Sequence, residues 1–240
     1  MLLIIVLGGA LWGAAAGLFV PRAAYRLSVA PDEAWRAECP DGHPLGGWVG
    51  LARCGHDGTR YGPRATVLAL STALACAALA AATGARPELG VWLLLAPFGV
   101  LLAVVDFGVH RLPDVLTLPL AVAALVLLGG AALLPEPAGS WVHALYGALA
   151  LGGAYFVLFL ISPNGMGFGD VKLALSLGAV LGWYGWGVVL LGAFAGFLLA
   201  ALYGGWLVVV RRAGRRTAIP FGPFLIGGAF LGLLAGAYAA

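Results

Sequence analysis

Apolar runs fill most of this chain, at about 2 to 20, 65 to 84, 89 to 105, 115 to 134, 141 to 161, 171 to 183, 186 to 210 and 221 to 240. That pattern restricts the fold more than any other feature. A span of roughly 20 apolar residues is what a helix needs to cross about 30 Å of hydrocarbon, and shorter runs belong to buried or tilted elements. In lipid the backbone must satisfy its own hydrogen bonds, and the alternating pattern of a barrel is absent, so the runs predict helices. Hydrophobic residues make up 62% of the chain and charged ones 10%, which excludes a water-soluble globule. The expectation is an all-α, polytopic membrane protein of about eight transmembrane helices, with the sixth, shortest run tilted or partly re-entrant.

Basic residues orient the spans. Lys and Arg concentrate in the loops that follow the odd-numbered runs, which hold twelve of the thirteen. The positive-inside rule then puts these loops in the cytoplasm and both termini on the extracytoplasmic side. His110, Arg111 and the cluster Arg211, Arg212, Arg215 and Arg216 read as anchors at an anionic leaflet, and His143 as an interfacial residue at the outer start of the fifth helix. The N-terminal run lacks the positive segment of a signal peptide and is followed by arginines, so it is expected to remain a membrane helix. Cys76, inside an apolar run, reads as packing, and three scattered cysteines make no disulfide framework.

Two short segments on the predicted cytoplasmic side carry acids. In "VVDFGVHRLPDVLTLPL" (104 to 120) Asp106 ends the third run, and in "GMGFGDVKLALSLGAVLGW" (165 to 183) Asp170 opens the sixth. A carboxylate at a membrane boundary is costly unless capped, paired or wet. Two at similar depth can share a proton, leaving one to take a proton from water while the other polarises a carbonyl. Gly165, Gly167 and Gly169, next to Asn164, either let a substrate strand approach closely or simply pack helices. Asp114 reads as an N-cap of the fourth helix, and Lys172 either tunes the acids or snorkels to headgroups.

The chain resembles the prepilin peptidases, the type IV leader peptidases of bacteria, in the G-x-G-D class of intramembrane aspartyl proteases. The likeness rests on the Asp of "VDFGVHRLPD" followed eight residues later by that of L-P-D, on "GMGFGDVKL", on "IPFGPFLIGGAF" (219 to 230) and, more weakly, on "GLFVPRAAYRL" (17 to 27). It implies a single peptidase domain over 1–240 in the inner (plasma) membrane. It implies Asp106 and Asp170 as catalytic, with Gly167, Gly169, Lys172 and Asp114 in support. Proteolysis would need no cofactor, the substrates would be type IV prepilins or pseudopilins, and the other partners would be membrane lipids, with no nucleic acid. The competing readings are a presenilin-like or signal-peptide-peptidase-like protease, a proton-coupled transporter and a non-catalytic assembly platform. A transporter is expected to show repeats and a midplane site, and neither is evident.

One segment departs from the family pattern. The loop 21–64 resembles an insertion in which many members bind zinc through two C-x-x-C pairs, but "ECPDGHPL" and "ARCGHDGTRYG" keep only Cys39 and Cys54, with Gly42 and Asp57 at the partner positions. His43 and His56 are weak candidate ligands, because C-x-x-x-H and C-x-H are unusual spacings for one metal. Zinc is therefore not expected, and the loop is expected to be held by its own packing and the membrane. By the resemblance this loop serves a second reaction, N-methylation of the new N-terminus from S-adenosylmethionine, which here rests on a degraded motif.

Overall fold

The computed structural model describes residues 1–30, 33–163, 165–211 and 219–240, the side chain of Arg211 excepted; Asn164 and the expected anchors Arg212, Arg215 and Arg216 lie outside the described residues. Eight α-helices occur among them: α1 (Leu2–Leu27), α2 (Ala65–Thr83), α3 (Glu88–Val109), α4 (Asp114–Ala132), α5 (Trp141–Ile161), α6 (Phe168–Gly182), α7 (Trp186–Arg211) and α8 (Gly222–Ala239). Seven are long and apolar enough to cross a membrane. The exception, α6, has 15 residues; at about 1.5 Å per residue it reaches about 22 Å, less than a bilayer core. The predicted all-α, polytopic architecture is the one observed.

The chain divides into two compact units, one of Met1–Ala85 with Leu89–Arg111 and one of Arg86–Glu88 with Leu112–Ala240. In the first, α1 and α2 pack antiparallel along a stripe of glycines. A Cβ on Gly13 would lie 2.5 Å from the Thr72 carbonyl oxygen, and one on Gly17 would lie 2.6 Å from that of Leu68. Without a hydrophobic drive between helices in lipid, such backbone proximity supplies the dispersion contact that holds them. Trp12 Nε1 donates to the Leu93 carbonyl at 2.8 Å and joins α1 to α3.

α1 runs past its apolar stretch through Pro21 to Leu27, and its extra turns carry the loop that follows. Arg22 donates to the carbonyls of Gly46, Val49 and Leu51, and Arg26 to that of Gly47 while lying over the Trp48 ring. The arginines counted as topology signals therefore also gather the loop onto the helix end.

In the second unit α6 is the central helix, touching α4, α5, α7 and α8. Small residues again set the approach: Gly147 of α5 faces Gly178 and Gly182 of α6, and Gly228 of α8 faces Gly192 and Gly196 of α7. At the opposite end from Asp170, buried Glu88 accepts from the Tyr184 hydroxyl at 3.3 Å and the Ala138 N–H at 3.4 Å. His143 is exposed in the first turn of α5.

Candidate active site

Asp170 is the third residue of α6 and only 6% exposed. The chain reverses direction here: Asp170 Oδ2 accepts the Gly167 N–H at 3.2 Å, while the Asp170 N–H donates to the Gly167 carbonyl at 3.1 Å. This reciprocal pairing satisfies donors that a helix start leaves open. Capping and burial thus coincide in one carboxylate.

The two glycines before Asp170 have different roles. A Cβ on Gly169 would lie 2.9 Å from the Leu112 Cβ, so Gly169 is required where α6 meets the L-P-D segment. A Cβ on Gly167 would meet only Asp170 Oδ2 at 3.5 Å, an ordinary contact. Lys172 lies beside this turn, 2.6 Å from Asp114 Oδ2 and over the Phe168 ring at 4.9 Å. Asp114 itself departs from expectation: it is the first residue inside α4, Pro113 takes the cap position, and no side-chain cap forms. The fixed φ of proline suits the entry to a helix, which leaves the Asp114 carboxylate available to Lys172. Among the described contacts Lys172 is thus ion-paired.

Tyr155 was not singled out in the sequence. It is 2% exposed on α5, its hydroxyl finds no hydrogen-bond partner among the described residues, and it lies within electrostatic range of Asp170. Its ring packs against Phe197 and against Phe221 of "IPFGP", so that motif is brought to the phenol near Asp170. A lone tyrosine in an apolar span was the available signal, shared with exposed Tyr146.

Asp106, in the first unit, is 4% exposed near the end of α3. Its carbonyl accepts the His110 N–H at 2.8 Å, and His110 ends the helix in the left-handed region at φ 52°. Arg111 turns to the Ala30 carbonyl at 2.9 Å.

In the loop, three of the four weak candidate ligands come together. Cys39, His43 and Cys54 converge, their ligating atoms all lying within 4.8 Å of one another. Each cysteine heads a tight turn closed by backbone bonds, Cys39 N–H to the His43 carbonyl at 2.8 Å and Cys54 N–H to the Thr59 carbonyl at 2.9 Å. Gly42, at φ 80°, supplies the left-handed residue that folds His43 back over Cys39. The spacing argument against His43 is thereby corrected. His56 stacks on the His43 ring, centroids 4.8 Å apart, and is not among the converging donors. Asp57 lies 3.9 Å from His43 Nδ1. The Thr59 N–H, and after it the Cys54 thiol, hold the Asp57 carboxyl well below the usual carboxylate range.

Seven helices long and apolar enough to cross a membrane, with a buried aspartate near a helix end in each unit, define a polytopic membrane protein. The chain belongs to the type IV leader peptidase family, whose model matches residues 93–211. It is similar to the prepilin leader peptidase/N-methyltransferase of Pseudomonas aeruginosa, 31% identical over 228 residues, covering 90% of this chain and 75% of the relative. It is 35% identical over 197 residues to the protein of that name from Aeromonas hydrophila, covering 80% and 66%. The similarity to that from Aeromonas salmonicida is 37% over 148 residues, covering 60% and 47%. The chain thus spans between 47% and 75% of the length of these three relatives. No solved structure matches.

Proposed function

We propose that this protein is a prepilin leader peptidase that cleaves the basic leader from type IV prepilins or pseudopilins at the cytoplasmic face of a bacterial inner membrane. The observation that carries the reading is the buried, reciprocally capped Asp170 in "GFGD", with a second buried aspartate, Asp106, in the other family motif. One acid lies on each compact unit, so the reading requires the two to act as a single peptidase domain. One carboxylate removes a proton from water, the water attacks the scissile carbonyl, and the other, protonated, hydrogen-bonds the developing oxyanion. Family membership favours this over a presenilin-like protease or a transporter.

The test is incubation of the membrane protein with a prepilin. Wild type is expected to release the leader, and Asp106→Asn and Asp170→Asn each to lose at least a thousandfold in rate while remaining folded. Full activity in either variant contradicts the assignment. Reporter fusions after residues 64 and 112 are expected on the cytoplasmic side and those after 87, 137 and 240 outside; a cytoplasmic C-terminus contradicts the orientation.

N-methylation from S-adenosylmethionine is a second reading, favoured by the relatives' printed name and by the ordered turns of the 33–64 loop. Transfer of a labelled methyl group to the cleaved product tests it, and cleavage without transfer removes it.

A further inference from the structure

We propose that residues 46–51, folded against the end of α1, are an interfacial anchor: Trp48, Val49 and Leu51 sit in a phospholipid leaflet where headgroups meet acyl chains. The depth of the segment follows from α1. Its apolar run, 2 to 20, covers about 28 Å at about 1.5 Å per residue, close to the thickness of a bilayer core, so Val20 and Pro21 mark the boundary. Two backbone bonds fasten the loop at that level. The Gly50 N–H donates to the Phe19 carbonyl at 2.9 Å, and the Arg22 N–H donates to the Gly50 carbonyl at 3.1 Å. A Cβ on Gly50 would lie 3.3 Å from the Arg22 Cζ, and its φ is 134°, so glycine permits this close approach.

The side chains next to Gly50 are apolar and uncovered. Val49 is 64% and Trp48 43% exposed, Leu51 is exposed as well, and so are Leu18 and Phe19 on the adjoining turn of α1. Held at the membrane boundary, these groups continue the apolar surface of a helix long and apolar enough to cross the membrane, at the level where amphipathic tryptophan rings are favoured. That continuity identifies the occupant as lipid.

The arginine beside them fits the same placement. Arg26 lies six residues past Val20, about 9 Å along the helix axis and therefore among headgroups. It donates to the Gly47 carbonyl at 2.8 Å and stands 4.2 Å over the Trp48 ring, which Trp35 meets edge-on at 5.2 Å. A guanidinium beside two indoles offers lipid phosphate a charge and the acyl boundary an apolar face. The loop also lacks apolar burial of its own, since its buried core is only Cys39, Ala52, Cys54 and Tyr61. Insertion removes further apolar surface from water and so holds the loop against the membrane.

The test uses the full chain reconstituted in phospholipid vesicles, where the emission lost in Trp48→Phe isolates the Trp48 signal. Lipids brominated near the top of the acyl chains are expected to quench that signal at least twofold, lipids brominated near the chain ends less, and iodide present on both sides of the vesicles little. Val49→Asp, at an exposed position that tolerates the change in folding, should raise iodide quenching of Trp48 about threefold by driving the segment out of the leaflet, whereas Val49→Leu should leave it unchanged. Quenching by iodide with no effect of either brominated lipid overturns the anchor. Stronger quenching from the chain ends overturns the interfacial depth. Loss of the lipid quenching when a peptide of basic leader and apolar helix is added at one equivalent overturns lipid as the occupant and makes the segment a peptide-docking surface.

Discussion

The start of α6 and the loop 33–64 both hold ionisable side chains in fixed positions, and they do so by different means. At α6 the backbone does the fixing: a helix begins, its first N–H groups need partners, and Asp170 turns back to Gly167 while Gly169 lies against Leu112. In the loop no long element exists, and two turns, a left-handed glycine and arginines from α1 bring the side chains together. The comparison teaches that a helix-borne site is sensitive to backbone approach, whereas a loop-borne site is sensitive to its side-chain donors.

Gly169→Ala should have the largest effect on the helix-borne site, because its Cβ would meet the Leu112 Cβ at 2.9 Å and shift the turn that carries Asp170. Leader cleavage is expected to fall at least tenfold, whereas Gly167→Ala should remain within threefold. Equal effects in the two variants would break the distinction drawn between these glycines.

Tyr155→Phe comes next. The change removes a buried hydroxyl without a described hydrogen-bond partner, so a purely structural role predicts unchanged or higher thermal stability with full activity. If the phenol dipole, within electrostatic range of Asp170, steadies its carboxylate during turnover, cleavage should drop about tenfold at unchanged stability. We expect the second outcome, and kinetics beside thermal unfolding distinguishes them.

In the loop, Gly42→Ala meets no atom within 4 Å but must hold φ at 80°. That strain costs about 1 kcal/mol, so trypsin should cut at Arg53 and Arg60 several-fold faster without abolishing folding. Asp114→Asn should show the smallest effect: its pair with Lys172 is short, but the Asp114 side chain is 64% exposed, and exposed pairs contribute about 1 kcal/mol or less. Cleavage is expected within threefold of wild type, and an inactive Asp114→Asn would place this acid in the catalytic machinery.

How much was legible in the sequence follows the same division. The spans were readable because length and apolarity alone decide them, and the short sixth run emerged as the short helix α6. "GFGD" marked a helix start because glycine and aspartate are what such a start requires. Asp114 was misplaced by one position because Pro113 competes for the cap, and Tyr155 was overlooked because only tertiary packing brings an α5 side chain near Asp170. The loop was least legible. Spacing rules assume one turn type, and the tight turn through Gly42 brings His43 to Cys39 across a spacing those rules disfavour.

The central proposal is that Asp106 and Asp170 both serve prepilin cleavage as one catalytic unit. The most direct measurement is the rate of leader release by Asp106→Asn, Asp170→Asn and the two combined, in membranes holding equal amounts of folded protein. Residues that act as a unit are non-additive, so the account predicts that each single variant loses as much as the double one. Losses that multiply in the double variant, or full cleavage in either single variant, would contradict the account.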